Sequence, residues 1–75
     1  MINYSYEDHM LYVEKRMYKL CAMANLPYET VTKENFQEIS DALGYLSPKV
    51  FFTAQAELRS LYLDKYLIPY FEEVQ

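Results

Sequence analysis

The sequence holds one glycine, one cysteine, one histidine and no tryptophan, and its apolar runs are short. Each shortage removes a class of function. With Gly44 alone, phosphate-cradling loops that need successive glycines are excluded. With Cys21 alone no internal disulfide can form, which fits a reducing compartment, and Cys21 and His9 together are too few for a cysteine-rich zinc site. Helical spacing puts Met17, near Cys21, on a core stripe and Met23 on the outer face, so Cys21 reads as a small core hydrophobe rather than a soft-metal ligand. His9 stands beside Glu7 and Asp8 but has no histidine, cysteine or acidic residue at i+3 or i+4 and no recognisable nucleophile, and it reads as a solvent-exposed residue of an opening helical turn. No segment approaches the roughly 18 apolar residues of a membrane helix, and the first residues lack a basic stretch followed by an apolar one. The expectation is a cytoplasmic protein with no catalytic residue, metal, cofactor or membrane contact.

What the chain does have is acid and tyrosine. Eleven acidic against seven basic side chains give a net charge of -4, which repels phosphate, so direct contact with nucleic acid is not expected and a basic protein surface suits better. Hydrophobic residues make up 52% of the chain, enough apolar surface to fold. Nine residues are tyrosines, more than a small core can satisfy with hydrogen-bond partners, and tyrosine is enriched at protein interfaces.

The periodicity predicts an all-α fold: one small domain over residues 1–75, a three-helix bundle with helices at about 6–25, 33–43 and 48–67 and a short helical turn after Pro69. Ser5 is a favoured N-cap, with Glu7 and Asp8 in the first turn where the helix dipole favours negative charge. Tyr6, Met10, Val13, Met17, Leu20 and Ala24 follow at spacings of three and four, one apolar stripe, and Asn25 before Leu-Pro closes the helix. Thr32 caps the second helix, Val31 and Phe36 form a hydrophobic staple, and Phe36, Ile39 and Leu43 make the inner face. Glu34, Glu38 and Asp41 make an outward acidic stripe, and Gly44 is expected to end the helix in the left-handed conformation. Ser47 as N-cap, Pro48 at the first position and a Leu46–Phe51 staple open the third helix.

At about 100° per residue, the third helix carries apolar residues on two sides. Val50, Phe51, Ala54, Leu58, Leu61 and Ile68 share one, with Tyr62 at its margin, and Phe52, Ala56, Leu63, Tyr66 and Leu67 the other. A chain of this length buries only about 60% of the surface its unfolded form exposes, so a partner or a second copy of the chain is the expected cover for the second side. The protein-binding residues read from the sequence are Phe52, Leu63, Tyr66, Leu67, Tyr70 and Phe71, joined by Leu11 and Tyr18 on the first helix.

From Thr32 onward, a threonine opening a short helix, then Tyr45-Leu46-Ser47, and a long helix carrying Val50-Phe51-Phe52-Thr53-Ala54 that ends before Pro69, the chain resembles the Hha/YmoA family of small helical modulators. That resemblance implies transcription or nucleoid modulation through a DNA-binding partner of the H-NS type, and it leaves the first 30 residues uncovered. Acidity, small size and interface aromatics themselves suggest a non-enzymatic protein-binding module, a regulator or inhibitor of the kind phages and mobile elements carry.

Overall fold

A computed structural model describes residues 4–46 and 48–67, leaving aside the side chains of 46 and 48–52. Three helices follow one another, α1 (Tyr6–Met23), α2 (Phe36–Leu46) and α3 (Pro48–Tyr66), with no strand among the described residues. The all-α reading is therefore observed, and α3 starts at Pro48 as expected. Ser47, the turn after Pro69, Tyr70 and Phe71 lie outside the described residues, as do the side chains of Leu46, Phe51 and Phe52.

Local chemistry sets both ends of α1. Ser5 is the N-cap: its hydroxyl accepts from the Asp8 amide at 3.1 Å while the Asp8 carboxylate accepts from the Ser5 amide at 3.2 Å. This reciprocal pair satisfies two donors that a helix start otherwise leaves free. At the other end Asn25 takes φ 59°. Its amide donates to Ala22 O at 3.0 Å and the Leu26 amide to Cys21 O at 3.1 Å, a Schellman closure. The helix stops at Met23, two residues before the expected end, because that closure requires Asn25 to leave the right-handed region.

The start of α2 is also a side-chain device. The Thr32 amide donates to Asn35 Oδ1 at 2.7 Å and the Asn35 amide to Thr32 Oγ1 at 3.1 Å, so Thr32 caps as expected and Asn35 answers it. Asn35 is buried, and its amide nitrogen donates to Thr30 O at 3.1 Å. The helix itself begins at Phe36 rather than 33, since residues 33–35 form the turn those bonds hold.

The far end of α2 corrects the sequence reading. Gly44 does not end the helix; it lies inside α2, which runs on to Leu46, and it has no positive φ. A Cβ built there would meet Gln55 Nε2 of α3 at 2.5 Å, and that nitrogen donates to Ser40 O at 2.6 Å. The missing side chain is room for a helix-to-helix hydrogen bond. Gly44→Ala should therefore leave stability nearly unchanged: about 1 kcal/mol gained in helix propensity is offset by about 1 kcal/mol lost when the Gln55 amide is displaced. In a Gln55→Ala background the same substitution should gain about 1 kcal/mol, a difference that a denaturation double-mutant cycle reads.

One core joins the three helices. Val13, Met17, Leu20 and Cys21 of α1, Val31 of the linker, Ile39 and Leu43 of α2, and Ala54, Leu58 and Leu61 of α3 are buried together. Tyr6, at the start of the expected stripe, lies at the edge and is exposed. Along α1 and α3, His9 meets Asp64, and Arg16, two turns further on, meets Glu57, two turns back, so these helices run antiparallel. Arg16 grips Glu57 with two bonds, Nε to Oε2 at 2.6 Å and Nη2 to Oε1 at 2.8 Å, and the guanidinium holds the Glu57 carboxyl below the usual carboxylate range.

Candidate functional site

The core takes one side of α3 and leaves the other outward. Ala54, Leu58 and Leu61 are buried, whereas Ala56 is exposed, Leu63 is 40% exposed and Leu67 42% exposed. Arg59 and Ser60 are exposed on the same helix. The apolar outward stripe expected from the helical wheel is thus present at Ala56, Leu63 and Leu67.

Tyr66, assigned from the sequence to that stripe, has internal work instead. Its hydroxyl donates to Val31 O at 3.2 Å, and its ring lies 4.8 Å from that of Tyr62, which meets Phe36 edge-on at 4.5 Å. The ammonium groups of Lys33 and Lys65 lie 5.3 Å and 5.4 Å from the Tyr66 ring. This row of three rings packs α3 against the start of α2, so Tyr66 borders the outward stripe and anchors it.

Leu11 and Tyr18, each 56% exposed, form a second patch. They line a shallow hollow of about 670 Å³ together with Tyr12 and charged side chains of both signs, Asp8, Glu14 and Glu29 beside Lys15, Arg16 and Lys19, and no described residue of α3 lines it. The eight sequence-assigned residues therefore do not form one surface among those described: Leu63 and Leu67 lie on one, Leu11 and Tyr18 on another.

His9 is not a free surface residue. It is half-buried, with Nε2 2.9 Å from Asp64 Oδ2 and Nδ1 2.7 Å from the Tyr4 hydroxyl. An aspartate, a histidine and a hydroxyl in a row have the connectivity of a hydrolytic relay. Here the hydroxyl is a phenol on a residue that is 62% exposed, and the hollow that Leu11 and Tyr18 line includes none of Tyr4, His9 and Asp64. The row clasps the start of α1 to the end of α3. No family model, curated protein or solved structure matches this chain.

Cys21 is wholly enclosed, and burial pushes its thiol up from the ordinary value, while Met23 lies exposed. Among the described residues no group of three histidine, cysteine or acidic side chains converges, and no helix is long and apolar enough to cross a membrane. Glu38 and Asp41 on α2 are exposed, and so is Glu34, which the structure places in the turn before α2 rather than on the helix as the sequence reading had it. The Tyr28 hydroxyl donates to Glu38 at 2.6 Å, which pushes the phenol up, and the Gln37 amide donates to Asp41 at 2.8 Å.

Sequence reasoning missed Lys65. Its ammonium donates to Thr30 Oγ1 at 3.0 Å and Val31 O at 3.1 Å and pairs with Glu14 at 2.9 Å, joining α1, the linker and α3 at one point. Burial pushes the Glu14 carboxyl up, but the hydrogen bonds from Thr30 and Lys65 outweigh it and hold the group below its ordinary value. A lysine one position before Tyr66 carries no local signal for this, since its partners lie more than thirty positions away.

Proposed function

We propose that this chain is a non-enzymatic protein-binding domain, a small acidic regulator or inhibitor whose contact surface is the outward side of α3. The observation that carries this reading is the exposure of Leu63 and Leu67 on a helix whose other side already fills the core. Apolar residues aligned along one side of a rigid helix suit the groove or helix face of another protein. The net charge of -4 and the exposed carboxylates of Glu34, Glu38 and Asp41, at and beyond the start of α2, favour a partner with a basic surface.

The test is co-purification of the tagged protein from its native host, followed by the same experiment with Leu63→Asp and Leu67→Asp. A partner retained by the wild type and lost by both variants, at unchanged circular dichroism and Tm, supports the reading. Unfolding of the variants, or undiminished capture by them, overturns it. An H-NS-type protein as the captured partner would point to the modulator function implied by the Hha/YmoA resemblance.

A further inference from the structure

We propose that the outward side of α3 has an internal occupant, the segment 69–73 of this same chain, which folds back along the helix as a weak, reversible cover. This cover presupposes the contact surface proposed above, since it is what a partner displaces. Reading back from the end of α3, the outward side is apolar at Leu67 and Leu63 and then basic at Arg59, and all three are exposed. Arg59 is in no ion pair among the described residues, whereas the carboxylates that flank it along α3, Glu57 and Asp64, are held by Arg16 and His9. Arg59 and Ala56 also line a hollow of about 350 Å³ with Ser40 and Gln55, which leaves room beside the guanidinium for another side chain.

The sequence that follows α3 has the matching order. α3 ends at Tyr66 and Leu67 is in a turn. Past Leu67, outside the described residues, come Ile68 and Pro69, then two aromatics, Tyr70 and Phe71, then two carboxylates, Glu72 and Glu73. Proline at 69 disfavours helical geometry at 68, where a reversal of the chain has to begin. At 1.5 Å per residue along the helix, Leu63 lies about 6 Å and Arg59 about 12 Å back from Leu67. An extended chain advances about 3.3 Å per residue, so with 68 and 69 spent on the reversal, Phe71 comes level with Leu63 and Glu73 with Arg59. Side chains two apart on an extended chain point the same way, so Phe71 and Glu73 turn toward the helix together. A tethered segment meets this surface at an effective concentration in the millimolar range, which places it ahead of a second copy at ordinary protein concentrations. A closed-to-open ratio of about 5 hinders a partner by lowering the competent fraction, yet leaves Leu63 cheap to truncate.

The experiment is methyl NMR on the full chain with labelled leucine, at about 0.05 M and about 0.5 M salt. The Leu63 methyls should show nuclear Overhauser contacts to the Phe71 ring and an upfield ring-current shift, both lost in Phe71→Ala. Arg59→Gln and Glu73→Gln should each lower the closed-to-open ratio about 3-fold, as should the higher salt, because the pair they weaken is exposed. Arg59→Glu should open the cover, and adding Glu73→Arg should close it again. The buried Leu58 methyls are the internal control and should not move in any variant; if Arg59→Glu moves them, Arg59→Gln with Glu73→Gln replaces the charge swap, and the two changes should be no worse than either alone. A wild type without contact between Phe71 and Leu63 at low salt overturns the proposal. So does a contact indifferent to both Arg59 and Glu73, or one that grows with protein concentration and therefore comes from a second copy. No partner enters these measurements, so an absent cover leaves the capture result standing, and a failed capture leaves the cover standing.

Discussion

Leu58→Ala should lower the unfolding free energy by about 3 kcal/mol, while Leu63→Ala, on the same helix, should lower it by less than about 1 kcal/mol. Leu58 is fully buried, and truncation removes its apolar area from the core and leaves a cavity that the three surrounding helices can only partly close. Leu63 is 40% exposed, so truncation mostly trades one solvated surface for another. For a domain of 75 residues, total stability is roughly 4–11 kcal/mol at the usual value per residue. The first change therefore removes a large share and the second a small one. Urea titrations with an unchanged m value read the difference directly. Equal costs at the two positions would mean that the outward side of α3 is covered, which would count against the contact surface proposed for it.

Lys65→Ala should cost about 2 kcal/mol and lower Tm by about 10 °C. The ammonium meets Glu14, Thr30 and Val31 at once, and its side chain is only 22% exposed. Without it the Glu14 carboxylate keeps only the Thr30 hydroxyl, and the linker loses its strongest tie to α3. The Val31 carbonyl still receives the Tyr66 hydroxyl, and Glu14 is partly exposed to water, which together hold the loss below that of a wholly buried pair. Adding Glu14→Gln to Lys65→Met should recover part of the loss, since no charge is then left without its partner. Differential scanning calorimetry on the two single variants and the double variant measures the coupling. Strict additivity would show that the contact contributes nothing.

The elements written in local chemistry were legible in the sequence. Ser5 and Asp8, Asn25 and Thr32 act within a few residues of themselves, and the stripe from Val13 to Ala24 and the inner side of α3 follow from helical period alone. What the sequence concealed depends on residues far away in the chain. Gly44 looked like a helix terminus because glycine often is one, whereas the approach of Gln55 from another helix decides its use. His9 looked solvated because Asp64 is fifty-five positions away. Tyr66 was placed on the outward stripe by its angle on the wheel, but its phenol is long enough to reach back over the flank of the helix to Val31. The division of α3 into two sides was legible. The separation of the outward residues into two patches was not, since it depends on how α1 and α3 pack.

The bond from Gln55 to the Ser40 carbonyl, passing over the bare backbone of Gly44, ties α2 to α3 by a contact that a side chain at position 44 would displace. A helix held in this way has given up its rigid-body freedom before any partner arrives. Docking onto its outward side then costs translational and rotational entropy and the ordering of a few side chains, with no further cost for straightening or orienting the helix. The same bond that reads as packing in the isolated domain is, for a binding event, entropy already lost in folding.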